Sequence, residues 1–204
     1  IPGFVGGAPI QNIGAYGVEI KDIFVSCSGY FLNTIEKKKF ELNDCQFSYR
    51  SSIFKKSLRN KFIITEVVLQ LSKTNHKITK SYKSINDALN NKKIHNPTIK
   101  DIARIVSKIR ENKLPNPSLI GNSGSFFKNP IVSIELLNKL KQKFSKLVYF
   151  KESVSKYKLS AAWLIENCNF KNIEEKNVGV YKNQALVIIN PVSYTHLTLP
   201  TRST

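Results

Sequence analysis

Hydrophobic positions change their spacing along this chain. Up to Leu71 they fall in short β-branched and aromatic runs. IFVSC (Ile23 to Cys27) and YFLN (Tyr30 to Asn33) flank a Ser-Gly pair, and KKFEL (Lys38 to Leu42) follows. FIITEVVLQL, Phe62 to Leu71, is the longest such run. Residues of these types suit a pleated, half-buried surface, so the runs predict separate strands of an antiparallel meander. CQFSYRSSIFKK, Cys45 to Lys56, breaks the alternation.

Beyond Pro97 the period lengthens. Ile99, Ile102, Ala103, Ile105, Val106 and Ile109 make one face of a helix expected over 98–112. Thr98 and Asp101 have capping-box spacing, and Pro115 sets the far limit. Leu137, Leu140 and Phe144 repeat the pattern over 134–144 behind Ser133. Shorter helices are expected around 85–90 and over 160–167, the latter carrying Trp163. VGVY (178–181) and QALVIIN (184–190) predict two strands around Lys182-Asn183. Strands first and mixed elements afterwards make the fold class α+β. Residues 72–97 are polar and place a domain boundary near residue 72, giving expected domains 1–72 and 73–191.

Composition narrows the class. The 204 residues are 41% hydrophobic and 10% aromatic, enough for a packed core. No apolar run approaches the roughly 20 residues that cross a bilayer. A soluble protein of the bacterial cytoplasm, without a membrane partner, is expected. Cys27, Cys45 and Cys168 are far apart, with no CxxC spacing, and predict buried free thiols and no metal site. The net charge of +18 is spread among asparagine and isoleucine along the whole chain rather than gathered in a patch. It therefore argues weakly for a nucleic-acid partner. The chain contains no methionine and opens on dense glycine-rich sequence, which predicts a piece of a longer protein. VSYTHLTLPTRST, Val192 to Thr204, abandons the lysine and asparagine bias and resembles a translated library adapter, so it is expected to be a non-native tail.

Three clusters carry candidate chemistry: IPGFVGGAPIQNIGAYG at the start, YRSSIFK from Tyr49, and KLPNPSLIGNSGSFFKNP from Lys113. Glycines at 3, 6, 7, 14 and 17 suit a backbone that turns repeatedly and approaches a ligand closely. Read alone, Arg50 fits a structural ion pair as well as an anion stabiliser. Ser125 alone fits a turn hydroxyl better than a proton donor.

Together and in this order, the clusters resemble the UDP-N-acetylenolpyruvoylglucosamine reductases (UDP-N-acetylmuramate dehydrogenases). KLSAAWLIENCNFK and VGVYKNQALVIIN extend the resemblance to about Pro191, and KSYKS with Tyr82 points to the type with a longer substrate-covering loop. The resemblance implies the later part of a vanillyl-alcohol-oxidase/PCMH-type FAD-binding domain, then an α+β substrate-binding domain. It implies FAD and NADPH as cofactors, UDP-N-acetylglucosamine enolpyruvate as substrate, reduction to UDP-N-acetylmuramate for the cell wall, and a monomer. A hydride from flavin N5 reaches the enolpyruvyl β carbon, and a proton reaches the α carbon.

By motif matching, the resemblance gives Arg50 the role of stabilising the carbanion and Ser125 that of donating the proton. Tyr16, Tyr82, Lys113, Asn129 and Gln184 become substrate contacts. Gly6, Gly7, Ile10, Gln11, Gly14, Ala15 and Ile64 become flavin contacts. Gly124 is expected to keep the backbone slim beside Ser125, with Phe126 and Phe127 anchored in the core. Ala162 and Tyr181 depart from the family pattern, which has glycine and commonly histidine there. The family's third catalytic group, a glutamate in an EPEV-like segment, has no match, so the fragment alone is expected to be inactive. Two other readings compete: another flavin oxidoreductase of the same superfamily, and a basic nucleic-acid-binding protein.

Overall fold

The computed structural model describes residues 3–76, 78 and 82–191. The expected tail over 192–204 lies outside them, as do residues 79–81 beside Tyr82. The fold is α+β. The chain divides into two compact units, 1–105 and 106–204, and this division falls later than the composition change near residue 72.

The first unit opens with two 3-10 turns, Val5–Gly7 and Pro9–Gln11. A tight hairpin follows, β1 (Gly14–Ala15) against β2 (Val18–Glu19). Its two turn residues, Tyr16 and Gly17, have φ of 53° and 83°. Positive φ at both positions is the backbone twist that a two-residue hairpin loop favours. The main sheet has the order β4-β3-β5, with β3 spanning Phe24–Phe31, β4 Lys37–Glu41 and β5 Phe62–Leu69, all antiparallel.

The strands are antiparallel as expected, but they do not form the expected meander: β5 pairs with the other edge of β3 rather than with β4, and Ser28-Gly29 does not divide two strands. It lies inside β3, and the β3–β5 register shifts between Ser28 and Gly29. A Cβ on Gly29 would stand 1.9 Å from the Ile63 carbonyl oxygen. The glycine thus marks a bulge where two backbones meet, a use of glycine in strands that is easily mistaken for a turn.

The core packs Phe24, Cys27, Phe40 and Phe62 of this sheet together with Cys45, Ile53 and Phe54. Phe40 meets Phe54 and Phe62 edge-on, with ring centroids 5.3 and 5.1 Å apart. Offset and edge-on aromatic pairs contribute about 0.5–1.5 kcal/mol each beyond their buried area. Cys27 and Cys45 are buried and share a thiol–thiol hydrogen bond, which holds the Cys27 thiol below and pushes the Cys45 thiol above the usual range. Cys168 is exposed, contrary to expectation, because it caps the end of a short helix rather than facing a core.

Helix α1 (Lys83–Asn91) buries Ile85 and Leu89, four residues apart on one face. Helix α2 (Ile99–Lys113) begins at the capping box read from the sequence. The Thr98 hydroxyl and backbone N–H both donate to Asp101 Oδ2, at 2.6 and 2.9 Å. These bonds hold the Asp101 carboxyl below its ordinary pKa. Its apolar face is less covered than the pattern implied: Ile105 is buried, whereas Ile99 and Ala103 are exposed.

In the second unit, β6 (Gly121–Ser125), β10 (Glu174–Glu175), β11 (Val178–Val180) and β12 (Val187–Asn190) form an antiparallel sheet in the order β10-β11-β12-β6. Another sheet has the order β7-β9-β8, from β7 (Ile131–Ser133), β8 (Tyr149–Lys151) and β9 (Lys156–Leu159). Helix α3 (Ile134–Lys143) is capped by Ser133, and α4 (Ala161–Asn167) by Ser160. Leu137, Leu147 and Leu159 form the core between them, with Trp163 packed against it. The expected strand over 184–190 starts only at Val187. Gln184 closes a turn instead, donating its N–H to Tyr181 O and accepting from Val187 N.

Candidate active site

In the first unit, the opening loop, the β1–β2 hairpin and the YRSS segment are tied together. Tyr49 and Arg50 occupy a two-residue turn closed by reciprocal backbone bonds between Ser48 and Ser51, each 3.0 Å. Arg50 has φ of 52°, an uncommon conformation for a non-glycine residue that costs on the order of 1 kcal/mol. Its guanidinium donates to the Gly14 carbonyl and lies 4.0 Å from Glu19 Oε1. It also lies over the Tyr49 ring, 5.2 Å from the centroid. These contacts fix its direction while leaving 28% of the side chain exposed. An arginine held this way offers a permanent charge and a planar fork to an approaching carboxylate.

Glu19 is the hub beneath it. Its carboxylate accepts from Asn12 Nδ2 at 2.8 Å, pairs with Lys21 Nζ at 2.9 Å, and caps the 3-10 turn Ile20–Asp22. Asn12 is fully buried. Its amide also donates to Ser48 O and accepts from the Lys21 N–H. Ser52 is fully buried too; its hydroxyl donates to Ile10 O at 2.6 Å and accepts from Phe54 N. The sequence reading missed Asn12, Glu19 and Ser52. Only Asn12 carried a signal, since asparagine tolerates the left-handed conformation it adopts here, with φ of 47°.

The expected flavin contacts lie along this ground. A Cβ on Gly6 would stand 2.9 Å from the Ile64 carbonyl oxygen, so the loop runs directly over β5. Ile10 and Ile64 both pack on the phenylalanine core. Gly14 and Ala15 form β1, and Gln11 is exposed at the end of the second 3-10 turn. Among the described residues nothing stands within 4 Å of a Cβ on Gly7, so the loop is open there. Tyr16, on the hairpin tip, meets Tyr82 with ring centroids 5.5 Å apart. Tyr82 stands just before α1 and is exposed.

In the second unit, Ser125 ends β6, exposed and in register with the fully buried Val187. Gly124 has φ of 63°, and none of the described residues lies within 4 Å of where its Cβ would be. Its positive φ favours glycine, and the backbone beside Ser125 is left bare. Phe126 and Phe127 are 56% and 52% exposed and pack on each other, 4.9 Å between centroids. They do not anchor the segment in a core. The backbone does that, through Phe126 N donating to Leu186 O at 2.8 Å. The Asn129 amide oxygen accepts from Ala161 N at 3.0 Å, at the start of α4. Gln184 sits in the turn before β12, and Lys113 is the exposed last residue of α2, where a cation complements the helix dipole.

Residues 116–197 match the family model described as UDP-N-acetylenolpyruvoylglucosamine reductase, C-terminal domain. A reductase of that name from Flavobacterium johnsoniae is 48% identical over 190 residues, 93% of this chain and 56% of the relative. The chain belongs to the UDP-N-acetylenolpyruvoylglucosamine reductase family. Members from Amoebophilus asiaticus and Pseudomonas fluorescens Pf-5 are 45% and 42% identical over the same shares of both chains. The chain thus spans about half the length of the reductases it matches. The crystal structure of the Thermus caldophilus reductase of this family superposes with a TM-score of 0.56 at 17% identity, covering 93% of this chain and 50% of that one. That likeness concerns the fold alone.

Proposed function

We propose that this chain forms the flavin-facing and substrate-binding part of an NADPH-dependent enzyme that reduces UDP-N-acetylglucosamine enolpyruvate to UDP-N-acetylmuramate, a step in peptidoglycan precursor synthesis. The observation that carries the reading is the 48% identity to a reductase of this family across 93% of the chain. In this reading residues 1–72 are the later part of a PCMH-type FAD-binding domain and 73–191 a substrate-binding domain, in a monomer of the bacterial cytoplasm.

The opening loop fits a flavin nucleotide. Gly7 presents bare backbone with open space beyond it, and Ile10 and Ile64 give the loop a rigid apolar base. Gly6, Gly7, Ile10, Gln11, Gly14, Ala15 and Ile64 would hold it. FAD and NADPH together would supply a hydride to the enolpyruvyl β carbon.

What remains is charge and a proton. Arg50 stabilises the negative charge that develops on the α carbon and the neighbouring carboxylate. Its two anchors keep the guanidinium aimed before the charge appears, so no reorganisation opposes the step. Ser125 Oγ gives its proton to the α carbon; the new C–H bond forms as the O–H bond breaks, and solvent reprotonates the alkoxide. A serine hydroxyl is a weak acid, but a carbanion is a far stronger base, so the transfer runs downhill. Lys113 and Tyr82 meet the diphosphate, while Tyr16, Asn129 and Gln184 contact the sugar nucleotide.

The test uses a protein of the relatives' full length that carries this chain. It should be yellow and bind FAD. Ser125→Ala should leave flavin reduction by NADPH within about twofold and lower turnover about 100-fold or more. Unchanged turnover would remove Ser125 from the mechanism, and a folded protein with no flavin absorbance would sink the assignment.

A further inference from the structure

The Arg50 guanidinium has a carboxylate for a neighbour, which at first sight works against a residue meant to receive an anion. The geometry resolves this. Glu19 Oε1 stands 4.0 Å from Arg50 Nη1, beyond hydrogen-bond length, whereas Oε2 is 2.8 Å from the Asn12 amide and 2.9 Å from Lys21 Nζ. Its Oε2 is taken up by other donors, so the carboxylate faces the arginine without clasping it. Asn12 holds both sides of the arrangement. One amide proton goes to Glu19; the amide also donates to Ser48 O, the residue that opens the turn carrying Arg50. Its oxygen receives the Lys21 N–H. Asn12 is fully buried and its left-handed backbone suits asparagine or glycine, and of these two only asparagine brings an amide.

We propose that Glu19, locked by Asn12, is a positioning residue for Arg50: it sets the direction of the guanidinium while leaving its outward N–H groups to the substrate carboxylate. This rests on the reading of Arg50 as the charge-stabilising group. A capping role alone would confine Glu19 to the 3-10 turn after it, but neither the Asn12–Ser48 link nor the approach of Arg50 serves that turn.

The experiment uses the same full-length protein and separates the two half-reactions. Glu19→Gln should slow reoxidation of the reduced flavin by substrate about 10- to 100-fold, as misaimed catalytic groups do, with flavin reduction by NADPH within about twofold. Asn12→Gly, which keeps the backbone conformation and deletes the amide, should do the same and carries the test if Glu19→Gln fails to fold. On an Arg50→Lys background, Glu19→Gln should cost less than about threefold more, because the two act through one group. The Arg50 Nε–Hε signal by NMR should shift or broaden in both single variants. If Arg50→Lys slows reoxidation and Glu19→Gln does not, the positioning role is overturned while the function stands. If Arg50→Lys itself changes nothing, the reading beneath it fails. Equal slowing of both half-reactions, full additivity, or failure of both variants to fold makes Glu19 a scaffold residue and overturns the proposal.

Discussion

The Ser52 hydroxyl donates to the Ile10 carbonyl at 2.6 Å and joins the glycine-rich opening loop to the segment that carries Arg50. The same oxygen accepts from Phe54 N at 3.2 Å, and Ser52 is fully buried. Removing it strands a buried donor and a buried acceptor together. Ser52→Ala should therefore destabilise by about 2–4 kcal/mol. Denaturant unfolding reads this as a lower midpoint at unchanged slope. A loss below about 0.5 kcal/mol would mean that water replaces the hydroxyl.

Two glycines of similar appearance in the sequence should respond in opposite ways. A Cβ on Gly29 meets the Ile63 carbonyl oxygen at 1.9 Å, and neither β3 nor β5 can move away without breaking the ladder. Gly29→Ala should cost about 3 kcal/mol or more, or prevent folding. A Cβ on Gly7 meets none of the described residues within 4 Å. Gly7→Ala should leave thermal unfolding unchanged within about 2 °C, since the stability change stays within about half a kcal/mol. If the loop faces the flavin, the same variant should weaken FAD binding, measured by flavin fluorescence.

Asn129 offers a way to separate structure from binding. Its amide oxygen accepts from Ala161 N, beside the Ser160 cap on Trp163 N. Asn129→Asp keeps the acceptor and loses the amide donors; Asn129→Ala loses both. We expect Asn129→Ala to lower stability by about 1 kcal/mol and Asn129→Asp by less. Substrate affinity should fall in both. Wild-type affinity in Asn129→Asp would confine Asn129 to its capping role.

The start of α2 should respond to acid. Thr98 holds the Asp101 carboxyl below its ordinary pKa through two hydrogen bonds. A depressed folded-state pKa stabilises the fold above the unfolded value of about 4, and that contribution disappears as pH falls through the folded value. NMR titration of Asp101 should give a pKa below that of a free aspartate. Thr98→Val, which removes the hydroxyl bond, should move it back up. An unmoved value would show that the backbone bond alone lowers it.

Local pattern was enough to read the extended runs of the first unit, α2 with its capping box and Pro115 limit, and the cap at Ser133. Each depends on neighbours within about four residues, where spacing and side-chain chemistry leave few choices. The short strands β6 to β9 were not legible, because pairing partners far along the chain make them. The same distance explains Ser28-Gly29, whose meaning as a bulge depends on Ile63, and Phe126-Phe127, whose hydrophobicity does not bury them.

The candidate site divides in the same way. Ordered motifs in the sequence identified the family and nominated Arg50, Ser125 and the opening glycines. What holds Arg50 came only from tertiary structure. Asn12, Glu19, Ser48 and Gly14 are separated from it by up to 38 positions, and a few single hydrogen bonds and one ion pair bring them together. A periodicity can specify which face of an element is apolar, but a polar contact between distant residues leaves no period in the sequence.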